Sequence, residues 1–227
     1  LKVGLPAGFE MMINISLWSL VMFWLVGHFG KEATAATSAV MSCTNVSVMP
    51  IVGLKIALAA AVGKSIGAEM KGSAIKQTSL CLKIALAYMG FIGVCFLVFR
   101  DGIMHAWSDD MGVIEIGVDI LIWAAILQIF QAARIVYSGS LRGAGDTVWL
   151  AIVSGVIAIV ILGLGGYIFV RLFPELNAVG PWIAATMSIC AVGAASRLRF
   201  KSNKWMQIDL FKYHTAELAR ENEAGIE

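Results

Sequence analysis

Four ionisable side chains lie inside long apolar stretches of the sequence, namely Glu10, Lys55, Lys83 and Arg134. A charged residue at the centre of a membrane helix costs about 2.5–3.5 kcal/mol on insertion scales, so its presence there indicates a functional role. Snorkelling or a simple ion pair stays open for the three basic residues, because their long side chains can reach the headgroups. Glu10 is too short for this, and we predict that it faces Lys55 between the first two spans.

Uncharged polar residues accompany these charges at helical spacing. Asn14 lies four residues after Glu10 in the first span. In the second span Asn45 follows Ser42 by three residues, with Thr44 nearby, and in the fourth Gln131 and Arg134 follow Gln128 at intervals of three. Side chains spaced in this way share one face of a helix. Hydrogen bonds between packed helices would explain a single stripe, but stripes on three helices favour a shared polar cavity. The residues predicted to line this cavity are Glu10, Asn14, Asn45, Lys55, Gln128, Gln131 and Arg134.

The reactive residue types offer no catalytic constellation. The four cysteines lie in apolar stretches, at spacings typical of neither a metal site nor a disulfide framework. Asp109 and Asp110 precede the fourth span, where an aspartate caps a helix; together with Glu115 and Asp119 they are also a candidate site for a divalent ion outside the membrane. Capping is the preferred interpretation, so we predict no catalytic residue and no bound metal.

The composition indicates that membrane helices position these residues. The chain has 227 residues, of which 59% are hydrophobic and 14% are charged, whereas soluble domains have about 45–50% apolar and about 25% charged residues. This excludes a soluble globular enzyme, a disordered chain and a nucleic-acid-binding domain. A net charge of +2 is too small to indicate a polyanionic partner.

Length and hydropathy predict an all-α integral membrane fold with six transmembrane helices, because a spanning helix needs about 20 residues. The apolar runs are too long for the strands of an outer-membrane barrel. Residues 1–200 form this domain, and residues 201–227 form a polar, amphipathic tail. The predicted spans cover residues 5–28, 39–62, 75–99, 112–138, 148–171 and 181–198.

The basic residues predict the orientation of the spans, since cytoplasmic loops are rich in Lys and Arg. One set of loops holds Lys2, Lys64, Lys71, Lys76, Arg142, Arg197, Arg199, Lys201 and Lys204. The opposite set holds Lys31, Arg100 and Arg171. We therefore expect a multi-pass protein of the cell (inner) membrane, in contact with the lipid bilayer and with both ends of this chain in the cytoplasm.

Short motifs in the right order resemble the carboxy-terminal half of a multidrug and toxic compound extrusion (MATE) transporter. The most specific one runs from Leu141 to Thr147 and reads Leu-Arg-Gly-Ala-Gly-Asp-Thr. The others are Gly4-Leu5-Pro6 at the first span, Pro50 to Leu54 in the second, Gly63 to Ala74 after it, and Gly180 to Ala184 at the last. The resemblance covers about residues 1–200.

The resemblance implies a twelve-helix antiporter built from two six-helix lobes, of which this chain is the second. Such proteins export organic cations or other small organic molecules against a gradient of Na⁺ or H⁺, and they need no cofactor beyond that ion. The required partner is the missing amino-terminal six-helix lobe. A start at Leu1 rather than Met agrees with a sequence that begins inside a longer protein.

Two positions depart from the family pattern. Asn14 and Gln131 stand where cation-coupled members carry carboxylates, so the coupling ion would bind Glu10 or the missing lobe. The remaining motif residues are interpreted as structural. Pro6 and Pro50 bend their helices, with Pro50 interrupting the second span. Arg142 anchors at the cytoplasmic surface, Gly143 and Gly145 allow the tight turn after the fourth span, and Asp146 or Thr147 caps the fifth.

Other functions stay open. A flippase for lipid-linked oligosaccharides or lipids belongs to the same superfamily, and the basic residues Lys55, Lys83 and Arg134 would suit an anionic headgroup. A membrane enzyme would use Asp109, Asp110, Glu115 and Asp119. A third alternative is a lobe that only scaffolds a partner.

Overall fold

The structure, a computed structural model, describes residues 18–202 and Trp205. Every regular element in this part of the chain is helical. The elements are α1 (Trp18–Phe29), α2 (Lys31–Gly67), α3 (Lys71–Val98), α4 (Arg100–Trp107), α5 (Met111–Gly143), α6 (Thr147–Leu172) and α7 (Val179–Lys201). A 3₁₀ turn, Pro174–Leu176, joins α6 to α7.

Five of the described helices (α2, α3, α5, α6 and α7) are long and apolar enough to cross a membrane. They confirm the predicted all-α integral membrane fold. The described part of α1 is shorter, because residues 5–17 of the first predicted span lie outside the described residues.

Helix ends differ from the predicted spans where helical sequence continues past the apolar stretch. Helix α2 begins at Lys31, eight residues before the predicted span, because the segment 31–39 is rich in alanine and helix-compatible. Helix α5 continues to Gly143, through residues predicted to form a connection. The short helix α4 occupies the predicted connection 100–111. Hydropathy reports burial in lipid, whereas a helix ends where its backbone hydrogen bonds end.

Proline 50 does not end α2, and the bend expected at this residue stays a prediction. The helix is continuous from Lys31 to Gly67 with Pro50 inside it. Proline lacks an N–H, so the carbonyl of Val46 has no partner four residues on. Helix α2 tolerates the loss of this one backbone hydrogen bond and does not end there.

Helix α5 lies at the centre of the bundle and packs against α2, α3 and α7. Its buried residues belong to two apolar clusters. One, at the N-terminal end of α5, includes Met22, Phe96, Leu121 and Trp182. The other, at the opposite end, includes Leu58, Met89, Val136, Leu141 and Phe200. Residues 128–131 of α5 belong to neither cluster. The bundle therefore has a layer, halfway along α5, that is not filled by apolar core residues.

The Leu141–Thr147 motif is structural, but in a different way from that predicted. Gly143 is the last residue of α5 rather than part of the turn, and a Cβ there would overlap the carbonyl oxygen of Ala59 in α2. Gly145 does require glycine for the turn, since its φ is +82°. Arg142 lies in the last turn of α5.

Asp146 stands at the N-cap position of α6 but makes no side-chain capping hydrogen bond, so that prediction was wrong. Instead its Oδ2 accepts from Nε of Arg199 in α7 at 2.7 Å. The Arg199 guanidinium also lies 5.2 Å from the ring centre of Trp149. The loop is thereby tied to the end of the last helix, across 53 residues of sequence.

One residue of the predicted tail is described. Trp205 is fully buried, stacks on Phe200 with ring centres 5.0 Å apart, and donates its Nε1–H to the Phe200 carbonyl at 2.7 Å. This tryptophan therefore packs against the end of the bundle.

Candidate functional site: a polar cavity between two apolar clusters

A cavity of about 210 Å³ opens from the level between the two apolar clusters. Five helices contribute to it: α1, α2, α5, α6 and α7. Its lining is formed by Trp18, Ser19, Met41, Thr44, Asn45, Leu127, Gln131, Arg134, Ser154, Ala158, Ser188, Ile189 and Val192.

Three of the predicted cavity residues line this space: Asn45, Gln131 and Arg134. Asn45 is exposed, whereas Gln131 and Arg134 are half-buried. Arg134 donates from Nε to Oε1 of Gln131 at 3.3 Å, so the two side chains predicted to share a helix face also hold each other. A Cβ on Gly193 would lie 3.5 Å from the backbone nitrogen of Arg134, so α7 approaches α5 closely at this level.

Gln128 lies beside the cavity rather than in its lining. Its side chain is fully buried, and neither its Nε2 nor its Oε1 has a hydrogen-bond partner among the described residues. An amide left in this state costs about 1–3 kcal/mol. The predicted polar face of α5 therefore reaches the cavity through Gln131 and Arg134, whereas the prediction that Gln128 lines it was wrong.

Lys55 does not line the cavity, contrary to the prediction. A Cβ on Gly139 would lie 2.9 Å from Lys55 Cγ and 3.1 Å from its carbonyl oxygen, so Lys55 packs against the C-terminal end of α5. Gly139 is four residues from the end of that helix, which places Lys55 about 6 Å from the level of its last residue. Glu10, Asn14 and Pro6 lie outside the described residues, and so does the predicted Glu10–Lys55 contact.

The sequence prediction placed Thr44 of α2 beside the stripe of Asn45, but it missed the hydroxyl groups contributed by α6 and α7. Thr44, Ser154 and Ser188 are buried in the cavity wall. Thr44 donates to the Val40 carbonyl at 2.8 Å, so its oxygen can only accept from a solute. A single serine in an apolar helix carries no periodic signal, so only the packing of the helices reveals Ser154 and Ser188.

An aromatic pair contributes to the wall of the cavity. Trp18 in the lining meets Trp182 edge to face, with ring centres 6.5 Å apart. Trp182 is fully buried and donates from Nε1 to Thr37 Oγ1 at 3.4 Å. Aromatic and apolar walls with a few polar groups are typical of sites for organic molecules.

Electrostatically, Arg134 is the one charged group among the lining residues that the structure describes. The basic residues Lys55, Lys83 and Arg134 do not form one site, since Lys83 is exposed on α3, which contributes nothing to the described lining. The suggestion that these three basic residues together bind an anionic headgroup was therefore wrong, because they do not lie in one place.

The acidic residues near the other end of the bundle behave as caps and surface groups. Asp110 accepts from the Gly112 N–H at 3.0 Å, which confirms the predicted cap of α5. Glu115 and Asp119 line a separate hollow beside Glu32 and Glu175. Among the described residues, no group of three or more His, Cys, Asp or Glu is placed to hold a metal ion.

Comparison with known proteins gives a consistent result. The sequence profile of the MatE family matches residues 6–168. Two relatives named "Probable multidrug resistance protein NorM" are similar to the chain. The protein from Bacillus subtilis (strain 168) is 28% identical over 209 residues, or 91% of this chain and 46% of the relative. The protein from Bacillus cereus (strain ATCC 14579) is 31% identical over 196 residues, or 86% of this chain and 42% of the relative.

Solved structures share the fold. An outward-facing multidrug resistance MATE family transporter of the MOP superfamily superposes with a TM-score of 0.77 at 18% identity, over 92% of this chain and 47% of that one. A MOP superfamily transporter from Pyrococcus furiosus, described as having a binding pocket of reverse polarity, gives 0.71 at 21% identity, over 92% and 47%. The chain therefore spans about half the length of the relatives it matches.

Proposed function

The chain belongs to the MatE family, whose members are membrane transporters and not enzymes, and from this premise we propose that it is one six-helix lobe of a twelve-helix secondary active exporter of drugs or organic cations. The observation that carries the proposal is the cavity, which combines aromatic and apolar walls with hydroxyl and amide groups. The names of the two multidrug resistance relatives agree with it.

The partner in this proposal is the amino-terminal six-helix lobe. The cavity reaches the bundle surface where Asn45 of α2 is exposed. A second lobe placed against this opening would enclose a central binding chamber for a small organic substrate. The half-length match to relatives supports such a partner.

Transport would proceed by alternating access, with the two lobes rocking about the central chamber. The coupling ion is Na⁺ or H⁺, and its candidate ligand in this chain is Glu10. Exchange requires that bound ion and bound substrate disfavour each other. The proposed location is the cell (inner) membrane, with both ends of this chain in the cytoplasm, and the distribution of Lys and Arg between the loops supports this orientation.

We expect the Asn45→Leu variant of the full-length protein to lower efflux of a fluorescent organic cation about threefold to tenfold, since one polar contact is lost from the chamber. Ethidium accumulation in producing cells measures this. The matched control is Val46→Leu, a change on the same helix at a residue that is 74% exposed and outside the cavity lining. Equal efflux by both variants would remove this cavity from the transport path.

A second candidate function is transport of an anionic substrate, including a lipid carrying a phosphate. Arg134 favours it, because this permanent positive charge lines the cavity while no described lining residue is acidic. The reverse pocket polarity described for the Pyrococcus furiosus transporter, which shares this fold, provides a precedent.

Arg134→Gln distinguishes the two candidates. If the substrate is an organic cation, efflux of ethidium is expected to stay unchanged or to rise, because a like charge has been removed. If the substrate is anionic, its transport is expected to fall about 30-fold or more, since charge-assisted contacts are lost. Arg134→Lys keeps the charge and serves as the control. Loss of both activities, with normal membrane insertion, would indicate that Arg134 is needed for packing.

A further inference from the structure

Helix α3 lies on the opposite side of α5 from the cavity. It packs against α5 through Thr78, whose Oγ1 lies 2.8 Å from Ser140 Oγ, and through Gly93, where a Cβ would lie 3.1 Å from the Ala125 carbonyl oxygen. Ser140 follows the cavity residue Gln131 by nine residues, which is two and a half helical turns. The side of α3 that faces away from α5 is therefore the outer side of the bundle.

Three polar residues share this outer side of α3. Lys76, Ser79 and Lys83 are all exposed and follow one another at intervals of three and four residues. These spacings place them on one face. Neither lysine forms a salt bridge with a described residue. Apolar residues surround them, since Leu80, Ile84 and Phe91 are also exposed.

The charge pattern along α3 locates the edge of the hydrocarbon layer. No charged residue stands between Lys83 and Arg100. The sixteen residues from 84 to 99 span about 24 Å, somewhat less than the about 30 Å of a hydrocarbon core. Lys83 thus lies near one boundary of that core. Lys76, seven residues closer to the α2–α3 turn, lies about 10 Å further toward the headgroups.

The two lysines can serve the same headgroup layer. Side chains on a helix lean toward its N-terminus, which for α3 is the end next to the α2–α3 turn. Lys83 therefore extends toward Ser79 and out of the hydrocarbon, as snorkelling lysines do. Its ammonium group then lies beside the Ser79 hydroxyl, and Lys76 adds a second positive charge about two turns further along the same face.

We propose that Lys76, Ser79 and Lys83 bind the phosphate of an anionic phospholipid on the outer face of α3. The site fits an anionic lipid because two cations share one helix face at the boundary of the hydrocarbon, where a lipid phosphate lies and where its acyl chains can cover Leu80 and Ile84. The inference rests on the proposed function in one respect: the cavity side faces the second lobe, which leaves α3 facing lipid in the cytoplasmic leaflet.

The test uses the purified chain in detergent, incubated with phosphatidylglycerol or phosphatidylcholine and observed by native mass spectrometry. Wild type is expected to retain one phosphatidylglycerol in preference to phosphatidylcholine. Each lysine near a membrane surface contributes roughly a fivefold preference for anionic lipid, so Lys76→Gln/Lys83→Gln should lose most of it. The matched control is Lys31→Gln/Lys201→Gln, which removes the same charge from two other exposed positions.

Lys76→Arg/Lys83→Arg is expected to keep the bound lipid, which separates loss of charge from loss of fold. Equal retention of phosphatidylglycerol by the Gln double variant and by the control would overturn the proposal, and so would equal retention of the two lipids by wild type. Lipid retention is read without transport. A chain that binds phosphatidylglycerol while the full-length protein exports no dye would therefore refute the proposed function alone.

Discussion

Gly143→Ala is expected to lower the free energy of unfolding of the chain by about 3 kcal/mol, at the upper end of the cost of overpacking. The added Cβ would overlap the Ala59 carbonyl oxygen and lie 3.0 Å from the Ala59 Cα. These are backbone atoms, so no side-chain rotation can relieve the clash. Helix α2 would have to move away from α5, the central helix of the bundle.

Titration of the purified chain with a denaturing detergent, followed by circular dichroism, measures this loss. The matched control is Gly90→Ala, because Gly90 lies in α3 with no atom within 4 Å of an added Cβ. That variant is expected to be neutral or up to about 1 kcal/mol more stable, since alanine favours the helix. If the two variants unfold alike, the close approach of α2 and α5 is not what Gly143 provides.

Asp146→Asn is expected to cost roughly 2–4 kcal/mol, because it leaves the Arg199 guanidinium without its counter-charge in a largely buried place. The side chains of Asp146 and Arg199 are only 6% and 21% exposed. Arg199→Gln should be similarly unstable, whereas the double variant should be more stable than the sum of the single losses predicts. Residues in direct contact couple by about 0.5–3 kcal/mol in such cycles.

The exposed pair between Arg100 and Asp101 provides the control for this cycle. Its atoms are 3.8 Å apart, with side chains 40% and 71% exposed. Asp101→Asn should therefore change stability by less than about 1 kcal/mol. Strict additivity of the Asp146 and Arg199 losses would show that the 2.7 Å contact does not stabilise the fold.

The membrane fold was largely predictable because lipid imposes a simple rule on sequence. Long apolar runs with few charges must be helices, since no other segment satisfies its backbone in hydrocarbon. The ends of α2 and α5 were less predictable, because Lys31 and Gly143 continue helices beyond the apolar stretch. Pro50 lies inside a helix, because a membrane helix tolerates the lost hydrogen bond through neighbouring packing.

The lining of the cavity was predictable only where polar residues recur at helical spacing on one helix. Gln131 and Arg134 share a face and a hydrogen bond, and both line the site. Lys55 was assigned to the same site because of its position along the second predicted span. Its contact with Gly139 places it near the end of α5 instead, away from the cavity. Arg199, the partner of Asp146, could not be found from sequence, since no local spacing links residues 53 positions apart.

The middle of α6 differs from the other membrane helices in how it should respond to the loss of a residue. Residues Ala158–Gly165 form a π-helix between two α-helical pieces, and Ala158 lines the cavity while a Cβ on Gly166 would overlap Leu25 of α1. Deleting a residue from an ordinary span turns everything beyond it by about 100°. A π segment holds extra residues in wider turns, so losing one residue there can restore α-helix while both flanking faces keep their neighbours. Among the described membrane helices, we therefore expect a one-residue deletion to be tolerated best in this segment.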